Sequence, residues 1–271
     1  MAKAATDLVY AKRSSRNVLD IVVPDVEVPP PLVVFIHGGA FRMGDKTDGA
    51  RERQALVDAG FAVASTNYRY STEAIWPAQL QDLRDAFAFL RGKAVEFGFD
   101  SSRIASFGPS AGGHLSASCG IAFASDPAQR LKASVVWFPP IDFPTMDADI
   151  EATGVPRATG RNDAADSPES VLTGAVVAAD PQRARSASPV TLLNELPKGT
   201  VLPAFLVMHG AKDPFIAANQ SRKLVAAIAA FGTATRLDFE VLPEGTHGQG
   251  DFENPDTMVR VVGFLKRAFA A

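Results

Sequence analysis

Only one cysteine, Cys119, occurs among the 271 residues of the sequence. A single thiol excludes an intramolecular disulfide and a cysteine-rich zinc site. An excess of charge of one sign is also missing, because 27 basic residues stand against 30 acidic residues and the formal net charge is -3. Without a large basic excess we expect no strong nonspecific binding of nucleic acid.

Long hydrophobic runs are missing as well, and those present are far shorter than the ~18 residues that a membrane-spanning helix needs. The first residues include Lys3 but no apolar segment behind it, so the sequence as given predicts no signal peptide. We therefore expect no membrane span and a cytoplasmic protein, with a secreted mature form as the alternative.

Short apolar runs rich in β-branched residues recur along the chain, as is typical of strands buried on both faces of a parallel sheet. They lie at residues 32–36, 61–65, 103–107, 133–138, 204–208 and 237–242. Two earlier segments, 6–12 and 18–24, alternate apolar and polar residues. This alternation predicts a hairpin at a sheet edge.

Helical spacing of apolar residues separates several of these runs. It occurs at residues 80–97, 115–123 and 224–231, and again after Pro255. Strands that alternate with helices predict an α/β fold, here with a mostly parallel central sheet of about eight strands flanked by helices.

Residues 143–193 interrupt this alternation. The stretch is rich in Ala, Asp, Arg, Ser and Pro and is only weakly periodic. Long segments without a strand often cover a binding site in a compact domain. We therefore predict a single domain, residues 1–271, with an insertion at about 143–193 that forms a small cap over the carboxyl end of the sheet.

The sharpest chemical signal is the motif Gly-Pro-Ser-Ala-Gly-Gly at residues 108–113, between a predicted strand and a predicted helix. A serine on such a turn, with small residues pressed together around it, is the pattern of a nucleophile elbow. The helix that follows directs its free N–H groups and the positive end of its dipole at a developing oxyanion. Ser110 is therefore the candidate nucleophile. The alternative is a glycine-rich turn with an incidental serine.

A nucleophilic serine needs a base, and the base needs an acid that orients it. Of four histidines, His247 follows the last predicted strand, where α/β sheets place catalytic groups, and it is the candidate base. Asp213 follows the preceding strand and is the candidate acid, with an N-cap role as its other interpretation. Asp251 and Asp142 are the backup acids.

The segment His37-Gly38-Gly39-Ala40 ends the strand at 32–36. Glycines at this point let backbone N–H groups turn toward a substrate oxygen. The N–H groups of Gly39, Ala40 and Ala111 are therefore the predicted oxyanion hole. Residues just after the motif strands are candidates for lining the acyl or alcohol pocket. These are Phe41, Pro139, Phe143, Phe215 and Ile216.

Together these motifs resemble the α/β-hydrolase carboxylesterases of the hormone-sensitive-lipase-like group, and more narrowly the bacterial esterases related to feruloyl and acetyl-xylan esterases. The matching residues are His37 to Phe41, Asn67 to Arg69, Arg103 to Ala105, Gly108 to Leu115, Ser188 to Val190, His209 with Gly210 and Asp213, and His247 with Gly248. The sequence departs from the lipase-like branch at Ala40 and Pro109 and lacks its long N-terminal cap helices. These departures argue against lipase activity.

The resemblance implies a serine esterase without cofactor or metal that acts through an acyl-enzyme. The small size of the insertion favours short-chain acyl or aryl esters as its substrates. The expected partner is the small-molecule ester, and the final helix or an edge strand is the candidate surface for a homodimer. An amidase or arylformamidase with the same triad is one alternative. A noncatalytic binding protein on the same scaffold is another.

Overall fold

The computed structural model of the protein describes residues 3–271, and eight strands in this part of the chain form one sheet. The strands are β1 (Lys3–Val9), β2 (Val18–Val23), β3 (Pro31–Ile36), β4 (Ala62–Thr66), β5 (Asp100–Pro109), β6 (Ala133–Trp137), β7 (Ala204–Gly210) and β8 (Leu237–Leu242). Their spatial order is β1-β2-β4-β3-β5-β6-β7-β8. β1 and β2 pair antiparallel at one edge, and every pair from β4 to β8 is parallel. The predicted sheet is confirmed.

Helices cover both faces of the sheet. They are α1 (Ala50–Asp58), α2 (Ala78–Phe97), α3 (Ala111–Ala122), α4 (Met146–Glu151), α5 (Pro168–Thr173), α6 (Pro181–Ser186), α7 (Pro189–Asn194), α8 (Ala218–Phe231) and α9 (Pro255–Ala270). Val33 of β3 packs in a cluster with Phe264 of α9, whereas Val34 packs in another cluster with Leu83 of α2. Because successive strand residues point to opposite faces, burial on both faces explains the continuous apolar runs.

The parallel strands bring their carboxyl ends to one edge of the sheet. β5 leads directly into α3, and the loops after β7 and β8 begin beside it, because β5, β6, β7 and β8 are consecutive neighbours. Loops far apart in the sequence therefore meet at this edge, where open α/β sheets bind their ligands.

Residues 143–193, which we call the cap segment, fold into short helices. A 3-10 turn at Phe143–Thr145 precedes α4, and α5, α6 and α7 follow. Ser167, Asp180 and Ser188 each accept a backbone hydrogen bond at the start of one of these helices, as N-cap residues do. The description of the chain as a single domain with a cap at about residues 143–193 stays a prediction.

Among residues 3–271, no helix combines the length and the apolar character needed to cross a membrane. α2 has 20 residues, but polar and charged side chains occur all along it. α1 is a helix that the sequence analysis did not identify, and it packs on the sheet through Leu56.

Candidate active site

Ser110 lies on the tight turn between β5 and α3. β5 ends at Pro109 and α3 begins at Ala111, so the turn consists of the serine alone. Its backbone has φ 56 and ψ -123, in a region that non-glycine residues rarely adopt. The N–H of Ser110 donates to the carbonyl of Trp137 at 2.9 Å, which ties the turn to β6. Strain of this kind is typical of functional positions.

Two glycines make this turn possible. A Cβ atom on Gly108 would overlap the carbonyl of Gly112, and a Cβ atom on Gly112 would overlap the carbonyl of Ile36 at the end of β3. Because these two glycines have no side chains, β5, α3 and β3 approach closely enough to hold the serine at the sheet edge. This is the steric reason that the motif needs small residues on both sides of Ser110.

The imidazole of His247 lies between Ser110 and Asp213. Its Nε2 is 2.9 Å from Ser110 Oγ, and its Nδ1 is 2.7 Å from Asp213 Oδ2. With a proton on Nδ1, the ring donates to the carboxylate and accepts from the serine hydroxyl. An arrangement of this kind can remove the proton of the hydroxyl as its oxygen attacks an electrophile.

The carboxylate of Asp213 is buried and held at both oxygens. Its Oδ1 accepts from the N–H of Phe215 at 2.8 Å and from the N–H of Ile216 at 3.0 Å. Burial alone would raise the pKa of the Asp213 carboxyl. The contacts with His209 and His247 outweigh burial and hold this pKa well below its usual range. The group therefore stays ionised beside His247.

The backup acids lie away from His247. Asp251 Oδ2 accepts from the N–H of Glu244 at 2.8 Å. Asp142 Oδ2 accepts from the hydroxyl of Thr145 at 2.9 Å. Neither carboxylate forms a hydrogen bond with the His247 ring, so Asp213 is the acid that the structure brings to it.

The loop after β3 places free N–H groups next to the serine. Gly39 has φ 100 and Ala40 has φ 53, and among residues 3–271 neither N–H has a hydrogen-bond acceptor. A Cβ atom on Gly38 would lie 3.5 Å from Ser110 Cβ, which shows how close the loop comes. Ala111 begins α3, so its N–H is one of those a helix leaves unpaired.

His37 supports this loop from behind. Its Nδ1 donates to the carbonyl of Gly38 at 2.6 Å, and its Nε2 accepts from Arg16 Nη2 at 3.3 Å. The ring stacks on Tyr68 with centroids 4.4 Å apart. Burial, and the charge of Arg16, lower the pKa of His37 to about 4. A neutral ring with these partners fixes the loop.

The other two histidines are also buried. His114 donates from Nδ1 to the carbonyl of Pro140 at 2.9 Å, and burial lowers its pKa to about 4. His209 bonds through Nδ1 to Ser221 Oγ at 2.7 Å and through Nε2 to the carbonyl of Ile216 at 2.8 Å. Both therefore pack beside the site, and neither reaches Ser110.

Ser110 and His247 open onto a cavity of about 670 Å³. Of the five residues predicted to line a pocket, Phe41, Phe215 and Ile216 do so. Phe143 and Pro139 do not, which corrects the sequence analysis. The ring of Phe143 instead stacks on His114 with centroids 5.5 Å apart, and the wall next to Pro139 is formed by Pro140.

Several residues that line this cavity were not predicted from the sequence. They include Phe138, Met146, Asn162 and Glu169. The ring of Phe138 lies 4.5 Å from that of His247. The other three belong to the cap segment, whose weak periodicity gave no signal for the direction of any side chain. Among residues 3–271, no group of three or more His, Cys, Asp or Glu side chains is arranged to hold a metal ion.

Comparison with curated proteins gives relatives that are named as esterases. Esterase LipQ from Mycobacterium tuberculosis is 28% identical over 258 residues, which cover 91% of this chain and 57% of LipQ. Esterase LipC from the same organism is 30% identical over 226 residues, which cover 81% of this chain and 53% of LipC. The chain thus spans little more than half the length of these relatives.

Solved structures give the same fold. A truncated form of a carbohydrate esterase from gut microbiota superposes with a TM-score of 0.85 at 27% identity, over 99% of this chain and 97% of that one. Esterase B from Lactobacillus Rhamnosis shares the fold with a TM-score of 0.77 at 20% identity, over 99% of this chain and 85% of that one. The BD-FAE family matches residues 19–228. The resemblance stated from the motifs is therefore confirmed, and the chain belongs to the BD-FAE family within the α/β-hydrolase carboxylesterases.

Proposed function

We propose that the protein is a serine esterase that hydrolyses short-chain acyl or aryl carboxylic esters through an acyl-enzyme intermediate. The observation that carries this proposal is the hydrogen-bonded chain from Ser110 through His247 to Asp213, at the wall of the cavity. Membership of the BD-FAE family and relatives named as esterases support the same reaction class.

In the first half of the reaction, Ser110 Oγ attacks the ester carbonyl carbon while His247 Nε2 takes the proton of the hydroxyl. The carbonyl oxygen becomes an oxyanion, and the N–H groups of Gly39, Ala40 and Ala111 donate to it. The imidazolium formed on His247 is stabilised by the ionised Asp213. His247 then protonates the leaving alcohol, and the C–O bond of the ester breaks.

In the second half, a water molecule enters where the alcohol has left. His247 takes a proton from this water, and the hydroxide attacks the acyl carbon bound to Ser110 Oγ. A second tetrahedral intermediate forms at the same N–H groups. His247 returns the proton to Ser110 Oγ as the acid leaves, so the protein is restored.

The cavity supports a substrate of modest size. Its volume of about 670 Å³ lies within the ~300–1,000 Å³ that small-molecule sites occupy. The rings of Phe41, Phe138 and Phe215 form apolar walls, which suit a short acyl chain or an aryl group. A homodimer and a cytoplasmic location stay predictions from the sequence.

The test is hydrolysis of nitrophenyl acetate, butyrate, octanoate and laurate by the wild type, Ser110→Ala and Ser186→Ala. Ser186 is exposed in the cap segment and serves as the matched serine control. We expect rates that fall with chain length, normal activity in Ser186→Ala and none in Ser110→Ala. Equal rates in the wild type and Ser110→Ala would remove Ser110 from the mechanism.

A matched nitroanilide in the same assay separates esters from amides. Amides have the poorer leaving group, so an esterase should hydrolyse the anilide far more slowly than the ester. An anilide rate above the ester rate would overturn the assignment and favour an amidase. Binding of esters without turnover would favour a noncatalytic protein.

A further inference from the structure

Arg16 links the antiparallel edge of the sheet to the loop after β3, which carries two of the predicted oxyanion donors. It lies in the turn between β1 and β2, where its N–H donates to Ser14 Oγ at 3.1 Å. The next residue, Asn17, is completely buried. Its Nδ2 donates to the hydroxyl of Tyr10 at 3.1 Å, and its Oδ1 accepts from the N–H of Arg13 at 3.1 Å. The turn is therefore held from within and presents the Arg16 side chain from a fixed position.

The guanidinium of Arg16 contacts both ends of the loop after β3. At the start of the loop, Arg16 Nη2 lies 3.3 Å from His37 Nε2. At its end, the same nitrogen donates to the carbonyl of Gly44 at 3.1 Å. Arg16 Nε donates to the carbonyl of Tyr68 at 2.9 Å, and the guanidinium lies over the ring of Tyr70, 3.6 Å from its centroid. A planar guanidinium with these partners and a ring against its face is held in one orientation.

These contacts select one tautomer of His37. Burial, and the charge of Arg16, lower the pKa of His37 to about 4, so near neutral pH one ring nitrogen carries a proton and the other is an acceptor. A guanidinium only donates, and His37 Nε2 is the nitrogen that faces it. The proton therefore lies on Nδ1, which donates to the carbonyl of Gly38 at 2.6 Å.

The carbonyl of Gly38 and the N–H of Gly39 belong to the same peptide unit. In a planar trans peptide the C=O and the N–H point in opposite directions, so a donor that holds the carbonyl on one side turns the N–H to the other. His37 Nδ1 and, at 3.3 Å, the hydroxyl of Tyr68 donate to this carbonyl. The N–H of Gly39 has no acceptor in the part of the chain that the structure describes, and Gly39 lines the cavity at Ser110. It is thus left free for an oxyanion.

We propose that Arg16 is a positioning residue for the oxyanion hole. Its guanidinium fixes the proton of His37 on Nδ1, His37 then holds the Gly38 carbonyl, and the N–H of Gly39 is kept aimed at the oxyanion. Without Arg16 the His37 proton can move to Nε2, and Nδ1 then faces the Gly38 carbonyl as one acceptor against another. That repulsion turns the peptide and misdirects the donor. The inference rests on the proposed function, and Arg16 acts through His37 rather than on the substrate.

The first test is the effect of Arg16→Met on the hydrolysis of nitrophenyl butyrate. Methionine keeps an unbranched side chain but donates no hydrogen bond. We expect kcat to fall by about tenfold or more, up to the ~10²–10³ that loss of one oxyanion donor costs. KM should change little, because the affected donor is used in the transition state. Arg13→Met is the matched control, since Arg13 lies in the same turn but pairs with Asp85, and it should leave kcat unchanged.

A second variant, His37→Asn, shows whether Arg16 acts through the imidazole. The side-chain amide of asparagine carries its own N–H and can donate to the Gly38 carbonyl without help from Arg16. Arg16→Met should therefore cost clearly less in kcat in the His37→Asn background than in the wild type. An equal fold loss in both backgrounds would overturn the proposal, because Arg16 would then support the loop only through Tyr68 and Gly44.

Nitrogen NMR of the histidine rings reads the tautomer directly and needs no activity. His37→Asn identifies the His37 signals by their loss. The wild type should show a protonated Nδ1 and an unprotonated Nε2, and Arg16→Met should show a mixture of both tautomers. A proton on Nε2 in the wild type, or an unchanged tautomer in Arg16→Met, would overturn the proposal.

If circular dichroism shows that Arg16→Met does not fold, Arg16→Gln decides both measurements. Its amide can accept as well as donate, so it fixes no tautomer, and kcat should fall here too. Failure of the proposed function is a separate result, because Ser110→Ala would then still hydrolyse the ester. Loss of activity in Ser110→Ala together with a normal kcat in the Arg16 variant would reject the role of Arg16 alone.

Discussion

His209 Nε2 lies 3.6 Å from Asp213 Oδ2, the same carboxylate oxygen that is 2.7 Å from His247 Nδ1. The stronger bond of His209 goes to the carbonyl of Ile216, at 2.8 Å. The N–H of Ile216 donates in turn to Asp213 Oδ1 at 3.0 Å. His209 is completely buried and holds the loop after β7 in place. This loop positions the Asp213 carboxylate, and the carboxylate in turn orients His247.

The first prediction concerns the role of His209 in holding the loop after β7. His209→Leu removes the donor to Ile216, so the loop after β7 should loosen and Asp213 should orient His247 less well. We expect kcat to fall by about tenfold or more, the effect of one lost buried hydrogen bond, with little change in KM. Steady-state kinetics with nitrophenyl butyrate measures both constants.

Ser221→Ala is the control for His209→Leu. It removes only the hydroxyl that bonds His209 Nδ1 at 2.7 Å and leaves the donor to Ile216 in place. Its fall in kcat should be clearly smaller. Equal losses in the two variants, or a rise in KM with kcat unchanged, would contradict the positioning role of His209.

The second prediction concerns the oxyanion loop. Gly39 has φ 100, and a Cβ atom there would overlap the carbonyl of Met43, so Gly39→Ala must shift the loop that presents the N–H groups of Gly39 and Ala40. Loss of one oxyanion donor typically costs ~10²–10³ in turnover, and we expect a fall in kcat of about that size. Gly160→Ala is the control, because Gly160 lines the same cavity and a Cβ atom there would contact nothing. Near-normal kcat in Gly39→Ala would exclude this loop from oxyanion binding.

The residues that the sequence placed at the site share one property: local geometry specifies them. The turn at Ser110 needs Gly108 and Gly112 because their Cβ atoms would overlap the backbone, so the motif itself encodes the strand-turn-helix geometry. His247 and Asp213 follow strands, and the parallel sheet then brings their loops to one edge. Strand order and the steric limits of the turn fix the positions of these three residues, and short sequence motifs are enough to reveal both.

Other features depend on tertiary packing and left no such pattern. α1 is rich in charge and buries only Leu56, so its apolar spacing is too sparse to identify as a helix. The direction of Phe143 toward His114 and the burial of Glu169 in the cap segment are set by contacts between distant segments. Sequence periodicity does not report such contacts, and the wall of the cavity was therefore predicted only in part.

The third prediction is a loss of stability in acid. Burial lowers the pKa of His37 and of His114 from 6.5 to about 4. Between these values the unfolded chain binds protons that the folded protein does not, so the free energy of unfolding falls as the pH drops from 6.5 toward 4. Each of the two histidines lowers the free energy of unfolding by about 3 kcal/mol at most.

Glu169 acts in the opposite direction. Its pKa is raised from 4.5 to about 7. Its contribution to the free energy of unfolding is therefore fully present below pH 4.5 and is lost as the pH rises through 7. As the pH falls from 6.5 to 4.5, the two histidines lower the free energy of unfolding and the one carboxyl raises it. We therefore expect a net loss of about 3 kcal/mol in the free energy of unfolding over this range. Urea unfolding at both values measures it. His114→Gln should flatten the dependence and Glu169→Gln should steepen it, and the reverse order would contradict these assignments.

The last prediction concerns the ion pair that anchors the loop after β4 to α2. The Asp82 side chain is 0% exposed and accepts from Arg69 Nη2 at 2.8 Å, Arg69 Nε at 2.9 Å and the N–H of Arg69 at 2.9 Å. Arg69→Met leaves this buried carboxylate without its cation, and we expect the free energy of unfolding to fall by ~3–5 kcal/mol. Urea unfolding at neutral pH measures the change.

Two further variants show whether burial is the cause. Lys93 pairs with Glu96 at 2.6 Å, but both side chains are exposed, so Lys93→Met should cost less than ~1 kcal/mol. The double variant Arg69→Met/Asp82→Leu removes the buried charge together with its partner, and it should recover most of the loss because an apolar pair replaces a buried ion pair at little cost. A double variant as unstable as Arg69→Met would show instead that the pair acts through the geometry of its hydrogen bonds. The loop would then depend on Asp82 as an acceptor for the backbone of Arg69 more than on neutralisation of its charge.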